Sequence, residues 1–272
     1  MIEPIGDHPM EWHERYGPWA LITGASSGLG AEFVRQLADR GLNCALVARR
    51  RDRMEAEAAA AQQAHGIQTR VIVADLTEPD ACRVVSEQTD DLDVGLLVNN
   101  AGYGMSGAYH DLDPDRQAKM TVLNCVVPVM LTNHYLPRML ERGHGGLIFL
   151  ASTAGYQACP YFSTYGATKA FNLMLGEALW VECRSLGVDS LALSPGFTKT
   201  EFNDVANIKD AGAFREATAD AVVAAALRNL GRKGSHIHGL LNKVLNFTGR
   251  LLPRRAVMAI TSAALKGRTK TL

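Results

Sequence analysis

A short apolar run, a glycine-rich turn and an amphipathic stretch follow one another near the start of the chain. The apolar run is WALI at residues 19–22, the turn is TGASSGLG at 23–30, and Phe33, Val34 and Leu37 then recur at helical spacing. This order predicts a strand that turns tightly into a helix, because glycine permits backbone conformations that other residues avoid. The amides that open such a helix attract an anion, so the pattern indicates a dinucleotide pyrophosphate site. An ordinary strand-to-helix turn with incidental glycines is the alternative.

The remaining sequence continues the alternation of strand and helix. Apolar runs predict strands at residues 42–48, 70–74, 95–99, 147–151 and 188–194. Helical patterns lie between them, at residues 52–65, 78–90, 114–142 and 161–186. The alternation predicts an α/β fold, a doubly wound parallel sheet of Rossmann type with helices on both faces. Ligands of such sheets bind beyond the carboxyl ends of the strands.

The composition agrees with a single globular domain. Of the 272 residues, 47% are hydrophobic and 21% are charged, which are ordinary globular values. We expect the domain to span residues 17–240, with an extension at 1–16 and a basic helical tail at 241–272. The five cysteines form no CxxC pair, which favours free thiols in a reducing cytosol, and the sequence predicts neither a signal peptide nor a membrane span. A cytoplasmic location is expected, with peripheral attachment to a membrane left open.

A tyrosine and a lysine stand four residues apart in YGATK at 165–169, and Ser152 ends an apolar run thirteen residues before the tyrosine. On a helix, Tyr165 and Lys169 share one face. The ordinary pKa of tyrosine is ~10, and a lysine cation about 4 Å away contributes roughly the 4 kcal/mol that lowers it to about 7. The spacing therefore indicates an acid–base pair, with Ser152 hydrogen-bonded to the reacting oxygen.

Five motifs in order resemble the short-chain dehydrogenase/reductase superfamily, in its shorter oxidoreductase branch. They are TGASSGLG at 23–30, NNAG at 99–102, Ser152, YGATK at 165–169 and PGFTKT at 195–200. The resemblance spans about residues 17–240. The segments YGPWALITGASSGLG and LLPRR are also similar to a subgroup that includes 3-oxoacyl and 17β-hydroxysteroid reductases.

The resemblance implies an oxidoreductase that interconverts a carbonyl and a secondary alcohol by hydride transfer, running mainly as a reductase. Tyr165 would donate the proton, Ser152 would polarise the carbonyl, and Lys169 would lower the tyrosine pKa and hold the nicotinamide ribose. Asn124 would hold a water that links the lysine to solvent. The alternatives are a nucleotide-binding regulator without turnover and a scaffold associated with a membrane or a carrier protein.

The residues expected to contact the cofactor belong to the glycine turn, the ends of later strands and the catalytic pair. They are Gly24, Ser26, Ser27, Gly28, Leu29, Gly30, Arg49, Asp75, Leu76, Asn100, Ala101, Gly102, Tyr165, Lys169, Pro195, Gly196 and Thr198. The resemblance gives Asp75 the adenine edge, although an Asx turn before the next helix is a competing interpretation.

The end of the second strand predicts the cofactor preference. NAD-specific sites usually carry an acidic residue there, but Ala48 stands in this place and Arg49, Arg50 and Arg51 follow it. An arginine binds a 2′-phosphate through its planar fork, so NADP(H) is preferred, with NAD(H) as the alternative. We expect Arg49 to be the phosphate ligand and Ser26 to assist it, and Arg51 to be a solvated surface charge.

Charge is divided unevenly along the chain. Residues 221–272 contain ten lysines and arginines and no acidic residue, which leaves 18 basic and 28 acidic residues in 1–220. The tail therefore suits two packed helices with solvated basic faces, a membrane surface, or an acidic acyl carrier or coenzyme A. Nucleic acid is not an expected partner, and no metal site is expected because His236 and His238 have no further ligand nearby.

The substrate is expected to be a small-molecule carbonyl or alcohol, and a large hydrophobic one is favoured by the apolar spacing in the tail. Segment 197–217 corresponds to the substrate lid of the family and carries Phe197, Phe202, Gly212 and Phe214. The resemblance also implies a homodimer or homotetramer formed through the helices at 114–142 and 161–186.

Overall fold

The computed structural model describes residues 9–207 and 216–266, with side chains from Glu11 onward. The first half of the expected amino-terminal extension (residues 1–8), Gly212 and Phe214 of the expected lid, and the last six residues of the tail lie outside this range. The described residues form one parallel sheet with helices packed on both faces.

Seven parallel strands form the sheet in the order β3-β2-β1-β4-β5-β6-β7. They are β1 (Trp19–Thr23), β2 (Asn43–Ala48), β3 (Thr69–Val73), β4 (Val94–Asn99), β5 (Gly145–Leu150), β6 (Val188–Ser194) and β7 (Ser235–Ile237). The strand order reverses between β1 and β4, where a doubly wound sheet opens its ligand crevice. The predicted fold class is confirmed.

Helices connect the strands and continue beyond the last one. They are α1 (Pro9–Tyr16), α2 (Gly28–Asp39), α3 (Arg51–His65), α4 (Ala81–Glu87), α5 (Pro114–Thr121), α6 (Val127–Arg142), α7 (Ser163–Cys183), α8 (Phe202–Val205), α9 (Ala219–Asn229), α10 (Leu240–Leu251) and α11 (Arg254–Leu265). The six strands predicted from apolar runs are present with ends shifted by at most two residues, whereas β7 was not predicted from an apolar run.

The helix predicted over 114–142 contains one π-helical turn, Val122–Val126, between α5 and α6. Pro128 has no N–H to donate to the carbonyl of Asn124, four residues earlier in the chain. Asn172 Nδ2 on α7 donates to this carbonyl oxygen instead, at 2.8 Å. The change of hydrogen-bond register turns Asn124 inward, where its side chain is 1% exposed. Single π-helical turns of this kind are frequent at functional sites.

The core has two apolar layers, one on each side of the sheet. Side chains of β1, β2 and β4 alternate between the layers, as the period of a strand requires. Helix α1 belongs to the first layer, because Trp12 and Tyr16 are buried in it. Tyr16 Oη donates to Asp189 Oδ2 on β6 at 2.7 Å, and Arg15 Nε donates to the same oxygen at 2.8 Å.

Candidate functional site

The catalytic residues expected from the sequence meet at the carboxyl end of β5. Ser152 lies two residues after the end of this strand, while Tyr165 and Lys169 lie on the first turns of α7. Ser152 is hydrogen-bonded to Tyr165. The Lys169 ammonium lies 5.7 Å from the centre of the Tyr165 ring and donates to the Leu150 carbonyl at 2.6 Å. The acid–base pair and the serine therefore converge on one point.

The tyrosine pKa differs from the expectation. Burial raises the pKa of Tyr165 above its ordinary value, although the hydrogen bond with Ser152 works in the opposite direction. Burial lowers the pKa of Lys169 to about 8. The expectation that Lys169 lowers the pKa of Tyr165 to about 7 is wrong for this arrangement. Both groups are desolvated, and the ammonium points to a carbonyl. Tyr165 is thus a protonated acid at neutral pH, beside a lysine that still carries its charge.

Asn124 lies next to Tyr165 and Lys169 in the structure, and its side-chain amide is hydrogen-bonded to Tyr103 and Thr168. Its Nδ2 donates to the Tyr103 carbonyl and to Thr168 Oγ1, both at 3.0 Å. Its Oδ1 accepts from the Tyr103 amide at 3.3 Å. A side chain at Gly102 would lie 2.8 Å from Asn124 Oδ1 and 3.6 Å from Lys169 Nζ, so the glycine leaves this space open. A larger residue at position 102 would therefore collide with Asn124.

The glycine turn forms a cradle that only glycines allow. Gly24 and Gly28 have positive φ angles of 70° and 57°. A Cβ at Gly30 would lie 2.1 Å from the Gly24 carbonyl oxygen. Helix α2 starts at Gly28 with no acidic residue in its first turn and no side-chain cap from Ser27, so its amides remain available to an anion. The chain therefore fits a dinucleotide pyrophosphate at this place.

The residues that follow β4 brace the cradle. Asn100 Nδ2 donates to the Thr23 carbonyl at 2.7 Å, and the Ala101 amide donates to Thr23 Oγ1 at 2.9 Å. These contacts tie the carboxyl ends of β1 and β4 together at the point where the strand order reverses. Asn100 and Ala101 accordingly fix the position of the glycine turn relative to the end of β4.

The far end of the crevice carries the arginines that follow β2. Arg50, rather than Arg49, contacts the glycine turn, because Arg50 Nη2 donates to Ser27 Oγ at 2.6 Å and to Ser26 Oγ at 3.1 Å. Arg49 is largely exposed and lies 3.8 Å from Asp75 Oδ2. Sequence reasoning passed over Arg50, since consecutive side chains at a strand end point in opposite directions and the register was unknown.

Asp75 adopts the turn that competed with its cofactor role. Its Oδ1 accepts from the Thr77 amide at 3.0 Å and from Thr77 Oγ1 at 2.8 Å. Burial alone would raise the pKa of Asp75, but these bonds and the Arg49 charge lower it below its ordinary value. The carboxylate is therefore fixed and charged at the cavity wall, which is compatible with both interpretations.

One cavity of about 680 Å³ joins these parts. Every residue expected to contact the cofactor lines it except Gly30, and so does Ser152. We call the strand-end and α7 residues the floor of the cavity: Asn100, Ala101, Gly102, Ser152, Tyr165 and Lys169. Helices α10 and α11 form the roof, which places Leu245, Leu252, Val257, Ile260 and Leu265 over the floor.

The described part of the chain shows neither a metal-binding cluster nor a membrane-spanning helix. Among residues 9–207 and 216–266, no group of three or more His, Cys, Asp or Glu side chains is placed to hold a metal ion. In the same ranges, no helix has both the length and the apolar character needed to cross a membrane.

Residues 18–211 match the short chain dehydrogenase family, the same stretch that holds the cradle and the catalytic floor. The chain belongs to this family. A 7beta-hydroxysteroid dehydrogenase of Clostridium sardiniense is 31% identical over 239 residues, covering 86% of this chain and 90% of that protein. A very-long-chain 3-oxoacyl-CoA reductase of Anas platyrhynchos is 30% identical over 247 residues, covering 89% and 78% respectively.

Among solved structures, a short-chain dehydrogenase from Sphingobium yanoikuyae in complex with NADPH is similar to this chain. It superposes with a TM-score of 0.78 at 32% identity, covering 86% of this chain and 94% of that one. The family acts on CH–OH groups with nicotinamide cofactors, so the chain is an oxidoreductase of the short-chain type.

Proposed function

We propose that the protein is an NADP(H)-dependent ketone reductase for a bulky hydrophobic substrate. The observation that carries the proposal is the shared cavity, in which the glycine cradle, the Ser152–Tyr165–Lys169 floor and an apolar roof face one another. When bound, the cofactor supplies the hydride. The chain supplies the position of the carbonyl, the proton and the exclusion of water.

The proton for the nascent alkoxide comes from the Tyr165 hydroxyl. Its raised pKa keeps it protonated at neutral pH, and Ser152 beside it polarises and orients the carbonyl oxygen. Lys169 retains its positive charge at pH 7, since its pKa is about 8, and in this proposal the ammonium holds the nicotinamide ribose. Asn124 positions a water that resupplies the proton.

Two observations support NADP(H) over NAD(H). No acidic residue stands at Ala48 to bind a ribose 2′-hydroxyl and repel a phosphate, and Arg49 and Arg50 both line the cavity beside Ser26. The relative from Sphingobium yanoikuyae was solved with NADPH. Arg50 is the 2′-phosphate ligand in this proposal, with Ser26 beside it and Arg49 at the outer edge.

The wall around Tyr165 supports a large apolar substrate. The Phe202 ring lies 5.4 Å from the Tyr165 ring and the Phe162 ring lies 6.5 Å from it, centre to centre. Leu245, Val257 and Ile260 continue this wall from the roof. The two relatives named above are, by name, a hydroxysteroid dehydrogenase and a very-long-chain acyl reductase, which fits a substrate of that size.

Oxidation of NADPH by a graded set of ketones tests the proposal. We expect steroid and long-chain 3-oxoacyl ketones to be reduced with higher kcat/KM than acetone or cyclohexanone, and NADPH to be used in preference to NADH. Binding of NADPH without reduction of any ketone would instead support the regulator hypothesis.

The exposed faces of α6, α7 and the π-helical turn before α6 support a homodimer. Val126, Met130, Met174 and Val181 are between 48% and 67% exposed. Burying these large apolar residues against a second copy removes them from water, and light scattering that gives a monomer mass at all concentrations would reject the dimer.

Helix α10 supports peripheral attachment to an anionic membrane. Its outer face carries Leu240, Val244, Phe247 and Leu251 at spacings of three and four residues, all exposed, opposite the side that lines the cavity. Lys243 and Arg250 border this face, and no acidic residue follows Asp220 in the chain. Co-sedimentation with phosphatidylglycerol vesicles, but not with phosphatidylcholine vesicles, is the expected result.

A further inference from the structure

Glu201 lies between two arginines at the cofactor-phosphate end of the cavity. It follows β6 in the segment that leads to α8, and it is half exposed. Arg50 Nη1 donates to Glu201 Oε2 at 2.9 Å, and Arg53 Nη1 donates to Glu201 Oε1 at 2.5 Å. Hydrogen bonds from Arg53 and then Arg50 lower the pKa of Glu201 to about 2. A charged carboxylate thus bridges two cations that come from the opposite side of the crevice.

The arginine that Glu201 holds is also the one that touches the glycine turn. Arg50 donates through Nε and Nη2 to Ser26 and through Nη2 to Ser27, so its remaining donor, Nη1, is the one directed at Glu201. A phosphate placed beside Ser26 would face the same guanidinium group. Glu201 and such a phosphate carry like charges and cannot both approach it without repulsion.

The residues on either side of Glu201 contact the rest of the site. A Cβ at Gly28 would lie 3.2 Å from Thr200, so Thr200 covers the start of α2. The ring of Phe202 packs on the ring of Tyr165 and would clash with a side chain at Gly104. The three residues 200–202 therefore connect the phosphate arginines, the glycine cradle and the catalytic tyrosine.

We propose that Glu201 is a specificity-determining residue, which competes with the cofactor 2′-phosphate for Arg50 and Arg53 and links phosphate binding to the position of Phe202 over Tyr165. This proposal rests on the NADP(H) preference proposed above. A cofactor that lacks the 2′-phosphate leaves the Glu201 bridge in place, whereas one that carries it displaces the carboxylate from Arg50. Glu201 accordingly narrows the advantage that the arginines give to NADP(H).

Calorimetry with two fragments of the cofactor tests the competition on the full chain. The probes are 2′,5′-ADP, which carries the extra phosphate, and 5′-ADP, which lacks the 2′-phosphate. Because two exposed ion pairs are removed, Glu201→Gln should bind 2′,5′-ADP about three- to tenfold more tightly and 5′-ADP unchanged. The gain should shrink at 0.5 M salt, where exposed charges are screened.

Glu55→Gln is the matched control. Glu55 is also a half-exposed carboxylate paired with an arginine, Arg51, on the same helix as Arg53, but it contacts neither Arg50 nor Arg53. It removes the same charge, so a purely long-range effect would appear equally in both variants. Equal gains in the two variants, or weaker binding of 2′,5′-ADP to Glu201→Gln, would overturn the proposal.

Hydrogen exchange of the amides in 201–206 tests the link to Phe202. In the wild type, 2′,5′-ADP should speed this exchange and 5′-ADP should not, whereas Glu201→Gln should exchange rapidly with either. Failure of the wild type to prefer 2′,5′-ADP would reject the NADP(H) preference itself. A wild-type preference that Glu201→Gln leaves unaltered would reject only the role of Glu201.

Discussion

The floor and the roof of the cavity are built in opposite ways. Tyr165, Lys169 and Asn124 on or behind the floor are at most 8% exposed, and their polar groups are hydrogen-bonded to neighbours. Helices α10 and α11 of the roof contain no buried residue, and large apolar side chains such as Phe247 and Ile260 are more than half exposed. Rigid, paired groups suit a reaction that is the same for every substrate. An exposed apolar cover suits a choice among substrates and surfaces.

The largest expected loss of activity follows substitution of Tyr165, on the floor. Tyr165→Phe removes the proton donor but keeps the ring that packs on Phe202, so turnover should fall at least about a hundredfold with every ketone while NADPH binding persists. Steady-state kinetics and cofactor fluorescence measure the two quantities. Tyr161→Phe, in the same apolar cluster, is the control and should be nearly as active as the wild type. A Tyr165→Phe enzyme with normal turnover would remove the distinction between floor and roof.

The cofactor-phosphate end of the cavity should show the next largest effect. Arg50→Gln loses a charge-assisted contact worth roughly 1.5–3 kcal/mol, so the Kd for NADPH should rise about ten- to a hundredfold. The Kd for NADH, which lacks the 2′-phosphate, should change little. Titration of each cofactor without ketone measures both constants. Arg49→Gln made in parallel decides between the residue expected from the sequence and the one that contacts Ser26. A larger loss of NADPH affinity in Arg49→Gln than in Arg50→Gln would identify Arg49 as the 2′-phosphate ligand.

The floor should also impose a pH dependence that the roof does not share. Since the pKa of Lys169 is about 8, the ammonium is present below this pH and is lost above it. Tyr165 remains protonated across this range because its pKa is raised. We expect kcat/KM for reduction to fall about tenfold per pH unit above pH 8, for small and bulky ketones alike. A constant rate up to pH 9.5 would show that the Lys169 charge is not required.

The roof should give the smallest and most selective change. Val257 lines the cavity, and Val257→Ser removes apolar contact of about 1 kcal/mol, so KM for a bulky ketone should rise about fivefold. The kcat, and both constants for a small ketone, should stay the same. Met258→Ser is the control, because Met258 lies on the same helix and faces away from the cavity lining. An equal rise for small and bulky ketones would give the roof a structural role only.

The floor could be predicted from the sequence because its chemistry depends on spacing. Tyr165 and Lys169 share a helix face at any register, and the order of strand, glycines and helix places the cradle. The residues that were missed depend on direction instead. Arg50 replaces Arg49 beside Ser26 because of the way one backbone turn points, and the raised pKa of Tyr165 reflects burial that no motif contains.

The roof and Glu201 show what the sequence motifs leave undetermined. Two helices were among the structures expected for the tail, and α10 and α11 are both present. Which apolar residues face the cavity could not be predicted, since α10 is apolar on two sides and either could have been the inner one. Glu201 gave no sequence pattern at all, because its two arginines lie about 150 residues away in the chain.

The buried contact of α1 also sets the smallest piece of this chain that can fold by itself. The matched family region begins at residue 18, yet Arg15 and Tyr16 just before it are the partners of the buried Asp189 carboxylate. A protein shortened to that region would bury an unpaired charge at a cost of about 3–5 kcal/mol, a large part of a typical total stability of about 5–15 kcal/mol. The stretch that matches the family is therefore shorter than the stretch that folds cooperatively, which includes Arg15 and Tyr16. A recombinant chain that starts at residue 18 should therefore unfold at a lower temperature than one that retains Arg15 and Tyr16.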